Sequence, residues 1–208
     1  MNQKIFFIHG AGDTAQSSAR YYAMEKYLKS LKPLSYFTHA TYAASLESLL
    51  VQTESANHNS IFIGESFGGF WAAQLAAIKW ANCILLNPVV YPAIQMQQFT
   101  GRLIQANGEP LSGALLKEYA SAFDPRPRLK NRLILVLGKN DTVLDPELSC
   151  KYFHNIANLM IMTDDVHTVD KPESILKIAE AIFKIKAESF LKYLCRRVRD
   201  ISLSSSVF

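Results

Sequence analysis

Short, nearly continuous apolar runs alternate along this chain with longer stretches in which apolar residues return at helical spacing. The runs predict strands at 5–8, 35–39, 60–63, 83–86, 133–137 and 159–162, and the periodic stretches predict helices at 17–31, 45–57, 67–79, 146–153 and from Pro172 onward. Strands that are apolar on both faces and separated by helices imply a mostly or wholly parallel sheet of about six strands, covered by helices on both sides. One interval breaks the rhythm. Between Asn87-Pro88 and Asn131 the pattern places two helical stretches, 93–106 and 111–123, joined by a turn at Asn107-Gly108-Glu109-Pro110. Residues 93–123 therefore read as a small lid-like insertion leaving the C-terminal end of a strand. Its apolar residues, among them Met96, Phe99, Leu103, Ile104, Leu115, Leu116, Tyr119 and Phe123, suit either packing on the sheet or the wall of a pocket.

The 208 residues fit one domain, here taken as 1–190, followed by a basic extension at 191–208. Apolar content of 49% with 19% charged residues is ordinary for a globular protein, and a net charge of +4 gives no argument for a nucleic-acid partner. Cys83, Cys150 and Cys195 are widely spaced and form no C-x-x-C pair, which points away from a disulfide framework or zinc site and towards a reducing compartment. The run at 5–8 is too brief for a signal-peptide core, so a cytoplasmic location is expected, with secretion by a route that reads no N-terminal signal still open. In the extension, Phe190, Leu191, Leu194 and Val198 recur among Lys192, Arg196, Arg197 and Arg199. That stripe suits a final helix packed on the core, the favoured reading, or peripheral contact with an anionic membrane. Oligomeric state is not legible.

The chemistry concentrates at Gly64-Glu65-Ser66-Phe67-Gly68, which follows a predicted strand and opens a predicted helix. A serine in a sharp strand-to-helix turn holds a strained backbone, and side chains two residues to either side would collide with the turn, so both positions call for glycine. The turn lifts the Ser66 hydroxyl clear of the sheet and leaves the Phe67 N–H at a helix start, without an acceptor inside the helix. A phosphate-binding junction is the competing use of such a turn. No P-loop lysine follows, however, and no G-x-G-x-x-G is present.

A serine nucleophile needs an imidazole base and a carboxylate to orient it. Asp141 follows the strand at 133–137 in Gly138-Lys139-Asn140-Asp141-Thr142-Val143; its rivals are Asp145, placed to cap the helix that begins at Pro146, and Asp124, a turn residue before Pro125. His167 follows the last predicted strand. His39, His58 and His154 fall at positions that suit surface or packing roles. The chain order Ser66, Asp141, His167, each after a strand, is the order of α/β-hydrolases. The oxyanion of acyl transfer needs two convergent N–H donors; Phe67 supplies one, and Ala11 in the His9-Gly10-Ala11-Gly12 turn is the candidate for the other, with His9 holding that loop. No clustered ligand set suggests a metal, and this chemistry requires no cofactor.

At these residues the chain resembles the α/β-hydrolase superfamily and, more narrowly, the small bacterial YqiA-type esterases. The shared features are His9-Gly10, Gly64 to Gly69, Asn87-Pro88, the Asp-x-Val-Leu-Asp of Asp141 to Asp145, and His167. The resemblance spans most of 5–183. It implies a compact core without the initial antiparallel strands of larger relatives, and hydrolysis of short acyl esters and of acyl thioesters. Glu65 departs from the small residue common in such esterases, and Phe67 from their leucine; a structural carboxylate is the favoured reading of Glu65. The expected function is a serine esterase acting on short to medium acyl chains of a small-molecule ester. A lipase, phospholipase or thioesterase at a membrane surface, and a non-catalytic receptor or scaffold, stand as alternatives.

Overall fold

In the computed structural model, which describes residues 3–28, 30–38, 40–100 and 112–167, six parallel strands form one sheet. They are β1 (Ile5–Ile8), β2 (Leu31–Leu34), β3 (Ile61–Glu65), β4 (Asn82–Leu86), β5 (Leu133–Gly138) and β6 (Leu159–Thr163), in the order β2-β1-β3-β4-β5-β6. The helices are α1 (Ala19–Glu25), α2 (Tyr42–Gln52), α3 (Phe67–Lys79), α4 (Pro92–Gln95), α5 (Gly113–Glu118), α6 (Arg126–Leu129) and α7 (Pro146–Tyr152). Because strand side chains alternate, β1 to β5 each feed two cores, while β6 gives only the partly buried Ile161 to one of them and leaves Met160 and Met162 exposed. Phe6, Ile8, Phe62, Cys83, Leu85 and Leu135 pack with α2 and α3, while Ile5, Phe7, Ile61, Ile63, Ile84 and Ile134 pack with Tyr21 and Met24 of α1. Apolar burial on both faces is what makes these strands read as continuous hydrophobic runs.

The second strand lies earlier than the sequence pattern predicts. It spans Leu31–Leu34, and residues 35–38 continue without strand structure. Pro33 favours reading a break there, yet it lies on β2, which pairs only with β1 at the sheet edge, where a missing N–H leaves no ladder partner unsatisfied. The helix expected at 17–31 is correspondingly shorter, capped by Ser18, whose side chain accepts from the Tyr21 N–H. Leu28 and Leu31 are buried beyond its end, and their spacing continues the helical period past it. His39 lies outside the described residues.

The insertion is less regular than two helices. After α4 the chain makes a short 3₁₀ turn at Gln97–Phe99, and α5 runs directly into a second at Tyr119–Ser121. Residues 101–111, with Leu103, Ile104 and the expected turn at 107–110, lie outside the described residues. Met96, Leu116 and Tyr119 are fully buried in the core that holds Trp71, with the Tyr119 ring against Tyr42 of α2 and Phe67, Phe70 and Trp71 of α3. The helix expected from Pro172 and the basic extension at 191–208 also lie outside the described residues. Among the described residues no helix is long and apolar enough to cross a membrane.

Candidate active site

Ser66 sits between β3 and α3 with φ 52° and ψ −123°, a conformation that costs a non-glycine residue on the order of 1–3 kcal/mol. Backbone hydrogen bonds hold it there. Its N–H donates to the Leu86 carbonyl at 2.9 Å, and its carbonyl accepts from the amides of Gly69 (3.0 Å) and Val89 (2.9 Å). The flanking glycines are sterically required. A Cβ on Gly64 would overlap the Gly68 carbonyl, and one on Gly68 would overlap the carbonyls of Ile8 and His9. The second overlap shows how closely the elbow presses on the end of β1.

Three side chains then form a hydrogen-bonded line. His167 Nε2 lies 3.0 Å from Ser66 Oγ, and its Nδ1 lies 2.8 Å from Asp141 Oδ2. A carboxylate oxygen only accepts, so Nδ1 carries the proton and Nε2 presents its lone pair to the serine hydroxyl. The other Asp141 oxygen accepts from the Val143 and Leu144 amides at 2.8 and 2.9 Å, which fixes the carboxylate, and its side chain is 1% exposed. Asp145 points elsewhere, accepting from the Glu147 N–H at 2.8 Å as the cap of α7. Asp124 is bound to Arg126 through both its carboxylate oxygens.

The oxyanion candidates flank the same serine. Phe67 begins α3, so its amide has no acceptor within the helix. Among the described residues the Ala11 amide forms no hydrogen bond, and a Cβ built on neighbouring Gly10 would lie 3.5 Å from Ser66 Cβ, which sets the β1 loop against Ser66. His9 secures that loop from beneath. It is buried, donates from Nδ1 to the Gly10 carbonyl (2.8 Å) and stacks on Tyr36 at 4.7 Å, while the Tyr36 hydroxyl donates to the His9 carbonyl at 3.1 Å. Burial holds the His9 imidazole below its ordinary range and keeps it neutral.

Two further residues shape the site, and motif reading assigns neither of them a role. Asn87, noticed only as part of Asn87-Pro88, is buried at φ 42°; its Oδ1 accepts from the Gly138 N–H at 2.7 Å, and its Nδ2 donates to the carbonyls of Val166 (3.2 Å) and His167 (2.7 Å). It ties the histidine loop to the ends of β4 and β5. Arg20 pairs through Nε with Glu65 Oε2 at 3.2 Å, giving Glu65 the structural partner expected of it. Burial pushes the Glu65 carboxyl up, and the Arg20 guanidinium pulls it back. No sequence signal joins residues so far apart in the chain.

Residues 4–184 match the family described as "Uncharacterised protein family (UPF0227)". The chain belongs to this family. A UPF0227 protein of Serratia proteamaculans (strain 568) is 21% identical over 170 residues, covering 78% of this chain and 89% of its own. Among solved structures, Est1E from Butyrivibrio proteoclasticus is similar with a TM-score of 0.66 at 16% identity, over 88% of this chain and 86% of that one. Alpha/beta hydrolase domain-containing protein 10 from mouse is similar with a TM-score of 0.65, also at 16% identity, over 88% and 90% of the two chains. Together with the six-stranded parallel sheet, these likenesses make this UPF0227 member an α/β-hydrolase in fold. The YqiA-type resemblance agrees with the family match.

Proposed function

We propose that this chain is a serine hydrolase that cleaves carboxylic esters of short to medium acyl chains through an acyl-enzyme. The observation that carries this reading is the 3.0 Å contact from Ser66 Oγ to a histidine whose far nitrogen is held by a buried aspartate. His167 Nε2 takes the hydroxyl proton as Ser66 Oγ bonds to the acyl carbon. The carbonyl π electrons move to oxygen, where the amides of Ala11 and Phe67 stabilise the negative charge. Asp141 holds the imidazole in the productive tautomer and stabilises its protonated form. Collapse of the adduct breaks the bond to the alkoxy oxygen, which leaves with the proton from His167. Water then attacks the acyl-serine with His167 again as base, releasing the acid and restoring the hydroxyl. Every proton and electron pair in this cycle is handled by side chains and water, so turnover is expected to persist in a metal chelator.

A fluorophosphonate probe tests the assignment, because it reports an activated serine whatever the natural substrate. The expected result is labelling of Ser66, with both labelling and turnover of p-nitrophenyl esters abolished in Ser66→Ala. Labelling that survives in Ser66→Ala would overturn the reading. Across an acyl series the rate is expected to rise and then fall, since each buried methylene contributes about 0.8 kcal/mol until the pocket is full.

A further inference from the structure

Tyr36 touches both halves of the proposed oxyanion hole. It lies two residues beyond the end of β2, the strand that pairs with β1, and so belongs to the loop beside the one that carries Ala11. The Tyr36 hydroxyl donates to the His9 carbonyl at 3.1 Å, and its ring stacks on the His9 imidazole with centroids 4.7 Å apart and planes 9° from parallel. The same ring meets the Phe67 ring at 5.7 Å and 80°. Tyr36 is buried, and burial pushes its hydroxyl well above the ordinary tyrosine range, so it stays protonated and able to donate.

Peptide planarity carries these contacts to the Ala11 amide. The Ala11 N–H and the Gly10 carbonyl belong to one trans peptide, so they point in opposite directions and turn together. His9 Nδ1 holds that carbonyl at 2.8 Å, and a turn of the imidazole is thereby passed to the Ala11 N–H. Among the described residues His9 Nε2 is buried without a hydrogen-bond partner, so apart from the Nδ1 bond the ring is held by packing, with Tyr36 lying flat against it. Two residues after Tyr36, the Thr38 hydroxyl accepts from the Gly12 amide at 3.3 Å. The amide that follows Ala11 is thus already engaged.

We propose that Tyr36 is a positioning residue for the oxyanion hole: through His9 on one side and Phe67 on the other, it sets the aim and spacing of the Ala11 and Phe67 amides. It touches no reacting atom. The inference rests on the esterase reading, which supplies the oxyanion, and adds to it a residue outside every motif in the sequence. Small displacements matter at such a site, because developing charge is stabilised by donors already aimed at it rather than by donors that must first turn.

Tyr119 supplies a matched control. Its ring also meets the Phe67 ring, at 5.3 Å, and its hydroxyl also donates to a backbone carbonyl at 3.1 Å, but that carbonyl belongs to Ala40 and not to the loop that carries Ala11. Outright loss of an oxyanion donor costs about 10²- to 10³-fold, so a misaimed one in Tyr36→Phe is expected to cost about tenfold in kcat/KM on p-nitrophenyl acetate, carried by kcat with KM within about twofold. Affinity for a trifluoromethyl ketone should fall by the same factor, because its hemiketal oxygen sits on the same two amides. Tyr119→Phe is expected to lower the urea midpoint as much as Tyr36→Phe does, yet to keep both rate and ketone affinity within about twofold. Thr38→Val, which frees the Gly12 amide, should move rate and affinity in the same direction as Tyr36→Phe but by less. Equal rate and ketone affinity in Tyr36→Phe and Tyr119→Phe would overturn the proposal, as would a rate loss in Tyr36→Phe without a matching loss of ketone affinity. If Tyr36→Phe does not fold, Thr38→Val decides, and unchanged rate and affinity there would overturn it. In each case an unaltered chain that fluorophosphonate labels at Ser66 and that turns over esters leaves the esterase reading standing. An unaltered chain with neither labelling nor turnover would overturn that reading and this inference with it.

Discussion

The two ends of the sheet both contain residues at positive φ, and they use that conformation differently. At the N-terminal end Trp80, Asn131 and Asn155 precede β4, β5 and β6 at φ 54°, 64° and 60°. Trp80 has ψ 31°, the left-handed conformation that closes a helix, and its N–H donates to the Ala76 carbonyl. These are ordinary punctuation. At the C-terminal end Ser66 combines φ 52° with ψ −123°, outside the left-handed well, and Asn87 at φ 42° spends both ends of its side chain on neighbouring loops. The lesson is that positive φ alone does not mark the site. Strain held by hydrogen bonds that converge from separate strands does, because only a constrained surrounding keeps it.

The largest effect should come from the buried acid. Asp141→Asn is expected to lower turnover by about 10³- to 10⁴-fold with little change in folding, since an amide in place of the carboxylate no longer fixes the His167 tautomer. Asp145→Asn, at the cap of α7, is expected to lose about 1 kcal/mol or less and to keep its activity. Rates on p-nitrophenyl acetate and urea midpoints for the two variants decide it. If Asp145→Asn is the dead enzyme, the reading of the C-terminal end fails at its most specific point.

A smaller effect contrasts the two ends directly. Asn87→Gly keeps access to positive φ but removes the hydrogen bonds to Gly138, Val166 and His167. It should lose about 1–3 kcal/mol, because buried backbone groups are left without partners, and the looser His167 should slow turnover about 10- to 100-fold. Asn131→Gly, at a turn before β5, should change stability by less than about 1 kcal/mol and leave the rate alone. Equal stability and rate in both variants would show that Asn87 is punctuation too.

What the sequence made legible follows from how local each feature is. The β3–α3 junction is readable because strand, strained serine, flanking glycines and helix lie within about twenty consecutive residues, and α3 spans the predicted 67–79. Edge strand β2 is misplaced because burial of Leu28 and Leu31 outside a helix imitates helical period, and because Pro33 is tolerated only by virtue of its place in the sheet. Asn87 holds carbonyls 79 and 80 residues away, and Arg20 pairs with a carboxylate 45 residues away. Chain order puts Ser66, Asp141 and His167 at strand ends, but no pattern in one sequence reports which side chains meet across them.

The smallest effect concerns the charge beside Ser66. Glu65, with its side chain 18% exposed, has its carboxyl pushed up by burial, and Arg20 recovers only part of that shift. The folded chain therefore holds the Glu65 proton more tightly than the unfolded chain does. The stability this contributes is complete below the ordinary glutamate range, near ~4.3, and is lost as the pH rises through the folded value. Glu65→Gln removes the titration while keeping an oxygen that can accept from Arg20 Nε. The difference in stability, variant minus unaltered chain, is thus expected to move in favour of Glu65→Gln as the pH is raised from about 4 towards neutrality. Urea midpoints taken at half-unit steps across that interval measure it. A difference that moves the other way would mean that attraction to Arg20 outweighs burial at Glu65, and that the pair beside Ser66 stabilises the fold at neutral pH.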